Sequence, residues 1–417
     1  MAAKSTISQL DYSFDPRHAL VGAQMFFVAF GALVLVPLLT GLDPGVAMFT
    51  AGAGTLAYQA ITRGKVPIFL ASSFAFIAPI QYGIQTWGLP GTLCGVTAAG
   101  VLYFALSLLV RFRGVDAVTR LLPPIVTGPV IMVIGLSLAP VAVQMATGTN
   151  PAKGIVAVDQ THLIVALISL AGTLAASLLG RGFIRLVPII CGITAGYLAA
   201  LYYGLVDFTA LREAPWFAMP KFTFPTWNAE AVLFMLPVAI APAIEHVGNV
   251  VAIGSITGRD YLKDPGLERT FLGDAVATSL ASFVGGPPNT TYAEVSGGVA
   301  LTRAFNPGVM TWAAISAICL AFVGKLGAFL ATIPSPVMGG IMVLLFGTIA
   351  VVGMNSLVKA GDDLMKPRNL AVIAVVLVFG LGGLELSAGV FSAKGIGLAG
   401  LTGLVLNLVL PRAREEK

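Results

Sequence analysis

Two short stretches of this chain open with proline and then depart from the apolar character of their neighbours. They read PIFLASSFAF at residues 67–76 and PPNTTYAEVSGG at residues 287–298. Proline has no backbone N–H and disfavours the interior of a helix. The Ser, Thr and aromatic residues that follow favour extended backbone. We therefore expect each stretch to contain a few extended residues that lead into half of a helix.

The composition of the rest of the chain is that of a membrane protein. Of its 417 residues, 57% are hydrophobic and only 10% are charged. A soluble domain carries about 25% charged residues, so this chain has too little charge to cover a surface in water. A soluble enzyme, a nucleic-acid-binding protein and a disordered chain are therefore excluded. We expect an all-α protein that crosses the lipid bilayer many times.

Apolar runs separated by Gly, Pro or charged residues predict fourteen transmembrane segments. They fall at residues 18–39, 44–61, 66–80, 88–111, 120–144, 161–180, 185–206, 229–254, 266–284, 289–301, 307–330, 334–355, 368–386 and 392–410. The third and tenth segments are too short to span as ordinary helices, and the two proline-led stretches overlap them. Unpaired backbone groups cannot face lipid, so those in these segments must line a cavity or meet a ligand.

The distribution of positive charge predicts the orientation of the segments. An even number of segments places both termini on one side. A cytoplasmic location for both termini puts 19 of the 24 Lys and Arg residues inside. Positive residues concentrate in cytoplasmic loops. We therefore expect a multi-pass protein of the cell inner membrane with both termini in the cytoplasm, and we interpret the first apolar run as a retained span.

Weak internal similarity indicates that the chain consists of two halves. PIVTG at residues 124–128 leads to Gly135, and PVMGG at residues 336–340 leads to Gly347 at the same spacing. Two halves of seven segments each must be inverted relative to each other, because seven is an odd number. Inverted repeats with substrate bound at broken helices near the middle of the membrane are typical of secondary transporters.

Two acidic residues lie deep within predicted segments, Glu245 in the eighth and Glu294 in the tenth. An ionised carboxylate in the bilayer costs about 2.5–3.5 kcal/mol on insertion scales. Each is therefore a candidate for substrate or proton binding, with a structural carboxylate tied to a neighbouring helix as the alternative. Asp274 and Glu385 lie nearer segment ends, where a structural or interfacial role is expected. His246, next to Glu245, either tunes that residue, relays a proton or packs between helices.

The polar and aromatic neighbours of these acids suggest the kind of ligand. Phe74 and Tyr292 lie beside the two breaks, and Asn249 shares a helix face with Glu245 because it is four residues further on. A flat heterocycle would stack on a ring, while its N–H groups meet carboxylates and its carbonyl groups meet backbone N–H groups. No group of His, Cys and acidic residues has metal-ligand spacing, and no Walker A or GxSxG motif is present. We expect no cofactor and no metal.

These residues resemble motifs of the nucleobase–ascorbate transporter family, and within that family most closely those of bacterial uracil permeases. The motifs are GKVP at 64–67, SSFAF at 72–76, IEHVG at 244–248, PNTTY at 288–292 and PSPVMGG at 334–340. The resemblance extends from Gln24 to about Asn369. It implies short β-strands in segments three and ten, with the substrate between them. It also implies a core domain at residues 1–115 and 226–331 and a gate domain at 116–225 and 332–417.

The resemblance also implies roles for individual residues. Glu245 and Glu294 match the two substrate-binding carboxylates of the family, and Phe74 matches its stacking aromatic residue. Backbone N–H groups would come from Phe74 and Ala293, with Tyr292 and Ser73 in the same substrate-binding set. The expected proton-coupling residues are Glu245, Glu294 and His246, and the accessory polar residues are Asn249, Gln24, Asn289, Thr302 and Arg303. Members commonly couple uptake to protons and form homodimers through the gate domain.

Three positions depart from the family pattern. Met25 and Asn249 stand where members carry histidine, and Val295 stands where the signature has Asn. Because the histidine four residues after the first glutamate is absent, Glu245 is the better candidate for the proton carrier. Glu294 at the head of the signature favours uracil-type over purine-type members.

The function expected from these observations is proton-coupled import of uracil or a related pyrimidine nucleobase by alternating access. Burial disfavours the charged form of a carboxyl group, so Glu245 or Glu294 would take up a proton outside and release it inside. The alternatives are a purine nucleobase symporter, an anion carrier of the sulfate-transporter type, an intramembrane enzyme and a receptor that transports nothing. The expected partners are the nucleobase, protons, the lipid bilayer and a second copy of the chain, with no nucleic acid.

Overall fold

The computed structural model describes residues 9–150, 154–359, 361, 364–388 and 391–411, and most of them are helical. The helices and strands, in chain order, are α1 (Ala19–Thr40), α2 (Pro44–Ile61), β1 (Leu70–Ser72), α3 (Ile77–Arg113), α4 (Val115–Leu121), α5 (Pro124–Thr147), α6 (Gln160–Leu179), α7 (Pro188–Tyr202), α8 (Thr209–Glu213), α9 (Ala229–Val238), α10 (Ile240–Thr257), α11 (Leu267–Phe283), β2 (Asn289–Thr291), α12 (Ala293–Thr302), α13 (Gly308–Ala321), α14 (Gly324–Ala331), α15 (Ser335–Lys359), α16 (Pro367–Leu381), β3 (Glu385–Ala388), β4 (Phe391–Lys394) and α17 (Gly395–Val409). Short 3₁₀ turns cover Pro16–His18, Phe74–Phe76 and Ile184–Leu186, and a π-helical turn covers Leu262–Gly266.

Several helices begin at polar residues that bind the first free backbone N–H groups. The Asp43 carboxylate accepts a hydrogen bond from Val46 N at 3.0 Å, and Pro44 occupies the first turn of α2. At the start of α9, the Asn228 side chain accepts from Ala231 N at 2.9 Å. Such caps stabilise helix starts because the first N–H groups of a helix have no acceptor within it.

Both proline-led stretches contain a short strand, and the two strands pair with each other. β1 and β2 are antiparallel, with Leu70 opposite Thr291 at one end. Side chains of the surrounding helices satisfy further backbone groups. Leu70 N donates to Thr55 Oγ1 at 2.9 Å, and Thr278 Oγ1 donates to Asn289 O at 2.7 Å. Extended backbone can lie inside this bundle because protein groups replace the water that the membrane interior lacks.

A helix follows each of these two strands. After β1 the chain makes the 3₁₀ turn Phe74–Phe76 and continues into α3, and after β2 the helix α12 starts at Ala293. α3 is interrupted at Gly88, whose φ of 69° and ψ of 172° are not helical. Glycine adopts this conformation readily because it has no Cβ. Gly88 therefore separates the predicted third segment from the predicted fourth segment.

Six helices among the described residues are long and apolar enough to cross a membrane, and four more are apolar but shorter. Other predicted segments consist of two pieces. The segment predicted at 229–254 is divided into α9 and α10, and the one at 307–330 into α13 and α14. The protein is a multi-pass helical membrane protein. The number of fourteen segments and their arrangement as inverted repeats remain predictions.

The two helices that carry the repeated proline and glycine motifs, α5 and α15, approach each other closely. A Cβ atom on Gly353 of α15 would lie 2.6 Å from Gly128 O in α5, and a Cβ atom on Gly128 would lie 2.9 Å from Gly353 O. Small residues at such crossings allow helix backbones in membranes to pack at short range. The contact therefore depends on glycine at both positions.

The remaining helices pack mainly within two groups. α11 packs on α2 and α3, and α13 packs on α1 and α2. α15 packs on α5 and α6, and both α16 and α17 pack on α5. Helices of the first quarter of the chain therefore pack on those of the third, and helices of the second quarter pack on those of the fourth.

Candidate substrate-binding site

A cavity of about 90 Å³ lies beside the paired strands β1 and β2, and we call it the strand cavity. Its walls come from β1 and the turn after it, from α10, from β2 and the start of α12, and from α5 and α15. The lining residues are Ser72, Ser73, Phe74, Ala75, Ile131, Ile134, Glu245, Asn249, Thr290, Tyr292, Glu294, Thr348, Ile349 and Val352. A mainly apolar wall with a few convergent polar groups is the usual composition of a small-molecule site.

The structure brings both predicted carboxylates to the strand cavity. Glu245 lies in α10 and is half-buried, whereas Glu294 is the second residue of α12 and its side chain is exposed. A carboxylate accepts hydrogen bonds when it is ionised and gains a donor when it is protonated. Two acids from different halves of the chain can therefore bind N–H groups of one ligand or hold a proton beside it.

Two aromatic rings form part of the same wall. Phe74 and Tyr292 are both buried, and their ring centroids are 6.2 Å apart at an angle of 43°. Phe346 of α15 meets Phe74 edge-on at 6.5 Å. These contacts orient the Phe74 ring from two sides. A planar ligand in the cavity therefore meets an aromatic surface that is held in place.

Backbone and hydroxyl groups at the two breaks supply further polar contacts. Ser73 N donates to Pro288 O at 3.0 Å, which extends the strand pairing by one residue. The buried Ser73 Oγ has no hydrogen-bond partner among the described residues. On the other side of the cavity, α12 starts at Ala293, and the first N–H groups of a helix have no acceptor within it. Of the two predicted backbone donors, Phe74 lines the cavity, and Ala293 lies between the lining residues Tyr292 and Glu294.

His246 lies behind the strand cavity rather than in its wall. Both of its ring nitrogens have partners, because Nδ1 lies 2.8 Å from Asp274 Oδ2 and Nε2 lies 2.9 Å from Thr270 Oγ1. The His246 and Asp274 side chains are each 1% exposed. Asp274 Oδ2 also accepts a hydrogen bond from Thr291 N at 3.4 Å. The pair therefore connects α10 and α11 to β2, and His246 directly follows Glu245 in the chain.

The involvement of Asp274 was only partly predictable from the sequence. Its place in the ninth segment indicated a structural or interfacial role, and its burial beside His246 favours the structural one. The one available signal was an acidic residue and a histidine in neighbouring apolar segments. Because a buried charge needs a partner, this signal suggests a pair.

The five accessory polar residues have different positions. Only Asn249 lines the strand cavity, where its Nδ2 donates to Thr291 O at 2.8 Å. The other four lie outside the cavity wall, namely Gln24 in α1, Asn289 in β2, Thr302 at the end of α12 and Arg303 directly after it. Side chains alternate along a strand, so Thr290 lines the cavity and Asn289 does not. Thr302 is eight residues beyond Glu294, about 12 Å along the helix.

The paired strands and the cavity beside them belong to a multi-pass membrane protein, and relatives that are named permeases show its class, a membrane permease rather than an enzyme. Residues 17–388 match a family described as "Permease family". The chain belongs to this family of nucleobase–ascorbate transporters.

Individual relatives cover nearly the whole chain. A probable uracil permease of Haemophilus influenzae is 56% identical over 400 residues, which are 96% of this chain and 96% of the relative. A uracil permease of Bacillus subtilis is 43% identical over 402 residues, which are 94% of this chain and 92% of the relative.

Solved structures of anion transporters share the fold. The transmembrane domain of the cyanobacterial bicarbonate transporter BicA matches with a TM-score of 0.67 at 14% identity, covering 94% of this chain and 96% of that chain. The murine anion transporter Slc26a9 in the inward-facing state matches with a TM-score of 0.66 at 13% identity, covering 94% of this chain and 67% of that chain. At this level of identity the similarity concerns the fold alone.

Proposed function

We propose that this protein imports uracil or a related pyrimidine nucleobase together with protons, by alternating access. The observation that carries the proposal is the strand cavity, in which Glu245 and Glu294 share one small space with the ring of Phe74. The substrate class is supported by relatives that are named uracil permease or probable uracil permease.

The chemistry of a pyrimidine base suits the groups that line this cavity. The base is planar and carries N–H groups next to carbonyl groups. Its ring would stack on Phe74, its N–H groups would donate to Glu245 and Glu294, and its carbonyl oxygens would accept from backbone N–H groups at Phe74 and Ala293. A ligand without those N–H groups would displace water from the two carboxylates and leave them without donors, and an acceptor desolvated in this way costs about 1–3 kcal/mol. The site would therefore select against such ligands.

We propose that the same two carboxylates couple transport to protons. Two ionised carboxylates in one small cavity repel each other, and a proton on either of them removes that repulsion. The protonated carboxyl group is also a donor for a ring carbonyl, so base and proton would favour each other's binding. His246 has Asp274 and Thr270 as partners, and we propose that it positions α10 rather than contacting the base.

Alternating access would follow from movement of the core domain, residues 1–115 and 226–331, against the gate domain, residues 116–225 and 332–417. The packing of the first quarter on the third and of the second on the fourth supports this division. We further propose fourteen segments in two inverted repeats, with both termini on the cytoplasmic side of the inner membrane. Two copies of the chain would associate through the gate domains.

Uptake of radiolabelled uracil into proteoliposomes tests the transport proposal. We expect accumulation when the outside is made more acidic than the inside, and loss of accumulation when a protonophore collapses the gradient. Uptake that is indifferent to the imposed gradient would contradict proton coupling. Absence of saturable uptake would contradict the function itself.

Substitution of the two acids tests the site. Glu245→Gln and Glu294→Gln each remove a charged hydrogen-bond acceptor, which contributes about 1.5–3 kcal/mol. We expect each variant to bind uracil at least about tenfold more weakly. Glu213→Gln, a matched change at an exposed residue of α8, should leave the affinity unchanged. Wild-type affinity in both cavity variants would show that the substrate binds elsewhere.

Two other substrate classes need a direct comparison. A purine base carries similar N–H and carbonyl groups, and the fold is shared with anion transporters. Two carboxylates in the cavity wall disfavour an anion because like charges repel. Thermal stabilisation of the purified protein by uracil, thymine, xanthine, hypoxanthine, bicarbonate and sulfate separates these classes, because a bound ligand raises apparent stability by mass action.

A further inference from the structure

A second and larger cavity adjoins the strand cavity at Glu294. It has a volume of about 490 Å³, and we call it the vestibule. Its walls come from Phe27 and Val28 of α1, from residues 185–190 at the start of α7, and from the part of α12 that begins at Gly297. Glu294 lines both cavities, so its side chain stands at the boundary between them.

Charge is concentrated at two places in the vestibule wall. Apart from Glu294, the only charged residue among those that line it is Arg185, whose side chain makes no hydrogen bond or ion pair with the described residues. A guanidinium group presents N–H donors in a planar fork and never acts as an acceptor. The remaining walls are apolar side chains and glycine. The vestibule therefore offers donors at Arg185, acceptors at Glu294 and apolar surface between them.

We propose that the vestibule is a second binding site for an uncharged planar ring that carries both carbonyl and N–H groups. In this site Arg185 donates to a ring carbonyl and Glu294 accepts from a ring N–H. The proposal rests on the function proposed above. It assigns the vestibule as the site that the same substrate occupies after it leaves the strand cavity. A base that leaves the strand cavity keeps its contact with Glu294 and exchanges Glu245 and Phe74 for Arg185.

The size and polarity of the vestibule indicate a weak site. Its volume lies within the range of about 300–1,000 Å³ that is usual for ligand pockets, whereas the strand cavity is several times smaller. A looser fit and only two polar anchors give less binding energy than the strand cavity provides. Weak binding suits a release site, because a base held tightly there would leave slowly. The predicted orientation places Arg185 on the cytoplasmic side, where imported base must leave.

A cysteine reporter in the vestibule gives a direct test. Gly297 lines the cavity, and a Cβ atom built on it meets nothing within 4 Å. Gly297→Cys is therefore introduced after Cys94, Cys191 and Cys319 are replaced by alanine. Gly327→Cys in α14, where a Cβ atom also meets open space, is the matched control because Gly327 lines neither cavity. Both proteins carry Glu245→Gln, which weakens binding of the base in the strand cavity, so that protection of the cysteine reports mainly on the vestibule.

The measured quantity is the rate at which a water-soluble maleimide labels each cysteine, with and without millimolar uracil. At about five times its Kd for the vestibule, uracil occupies most sites, and the labelling rate of Gly297→Cys should fall on the order of fivefold. The rate at Gly327→Cys should stay within about twofold. Addition of Arg185→Gln should abolish the protection, because the guanidinium group that donates to the ring carbonyl is lost. Arg181→Gln, a change at an exposed residue four positions earlier that lines neither cavity, should preserve the protection.

Three outcomes overturn the proposal. Uracil fails to protect Gly297→Cys up to its solubility limit, or protection persists unchanged in the Arg185→Gln protein. In the third, phosphatidylglycerol vesicles slow labelling and uracil does not, which identifies the vestibule as a site for an anionic lipid headgroup. Thermal stabilisation of the protein with intact Glu245 by uracil is measured in parallel. If uracil stabilises the protein but does not protect Gly297→Cys from labelling, the vestibule site alone is refuted. If uracil neither stabilises the protein nor protects the cysteine, the proposed function is refuted as well.

Discussion

Removal of the negative charge of Asp274 tests whether the buried pair behind the strand cavity holds that cavity in shape. Asp274→Asn keeps the size of the side chain but replaces the carboxylate that lies 2.8 Å from His246 Nδ1. Both partners are 1% exposed, so water does not screen their interaction. A hydrogen bond to a charged group contributes about 1.5–3 kcal/mol. We expect the free energy of unfolding to fall by about that amount.

The same substitution should also weaken ligand binding at a distance. Asp274 Oδ2 accepts from Thr291 N, and Thr291 O accepts from Asn249 Nδ2, so β2 is held from both sides. Thr291 lies three residues before Glu294, and a shift of β2 displaces the start of α12 with its carboxylate and its N–H groups. A geometric loss of about 1 kcal/mol corresponds to about fivefold weaker binding of uracil.

A double-mutant cycle separates the pair from unspecific damage. Asp274→Asn, His246→Gln and the double variant are unfolded by SDS titration in mixed micelles, and the coupling energy is taken from the cycle. We expect a coupling of about 1.5–3 kcal/mol. The exposed Asp207→Asn should change stability by less than about 0.5 kcal/mol. A coupling energy near zero, or wild-type stability and affinity in Asp274→Asn, would refute the structural role of the pair.

Three further substitutions test the stacking ring, the helix crossing and the strand support. Phe74→Leu should weaken uracil binding about twofold to thirteenfold, because an aromatic contact contributes about 0.5–1.5 kcal/mol beyond buried area; unchanged affinity in equilibrium binding would exclude stacking. Gly353→Ala should destabilise the protein by about 1–3 kcal/mol because its Cβ meets the backbone of α5. Gly347→Ala on the same helix, where a Cβ meets open space, should not. Equal unfolding free energies in these two would contradict the close crossing. Thr278→Val should cost about 1–3 kcal/mol by leaving a buried carbonyl of β2 unpaired, and a loss below about 0.5 kcal/mol in the same titration would show that the carbonyl finds another partner.

Local physical chemistry explains what could be predicted without coordinates. The apolar excess requires a membrane, because 10% charged residues cannot cover a surface in water. Proline at 67 and 287 removes a backbone N–H donor and disfavours the interior of a helix, and polar and aromatic residues follow it, so the two interruptions were visible in the sequence. Glu245 and Glu294 were candidates for the same reason, because a carboxylate in the bilayer interior is costly wherever its neighbours lie.

Contacts between distant parts of the chain had to come from the tertiary structure. No local pattern states that Leu70 lies opposite Thr291 or that His246 faces Asp274. Helical spacing placed Asn249 on the same face as Glu245, but no local pattern placed Asn289 outside the cavity wall, which follows from strand alternation and helix packing. The vestibule exists because α1, α7 and α12 meet there. Sequence specifies which groups are costly to bury, whereas long-range packing determines which of them share a space, and that shared space is where binding occurs.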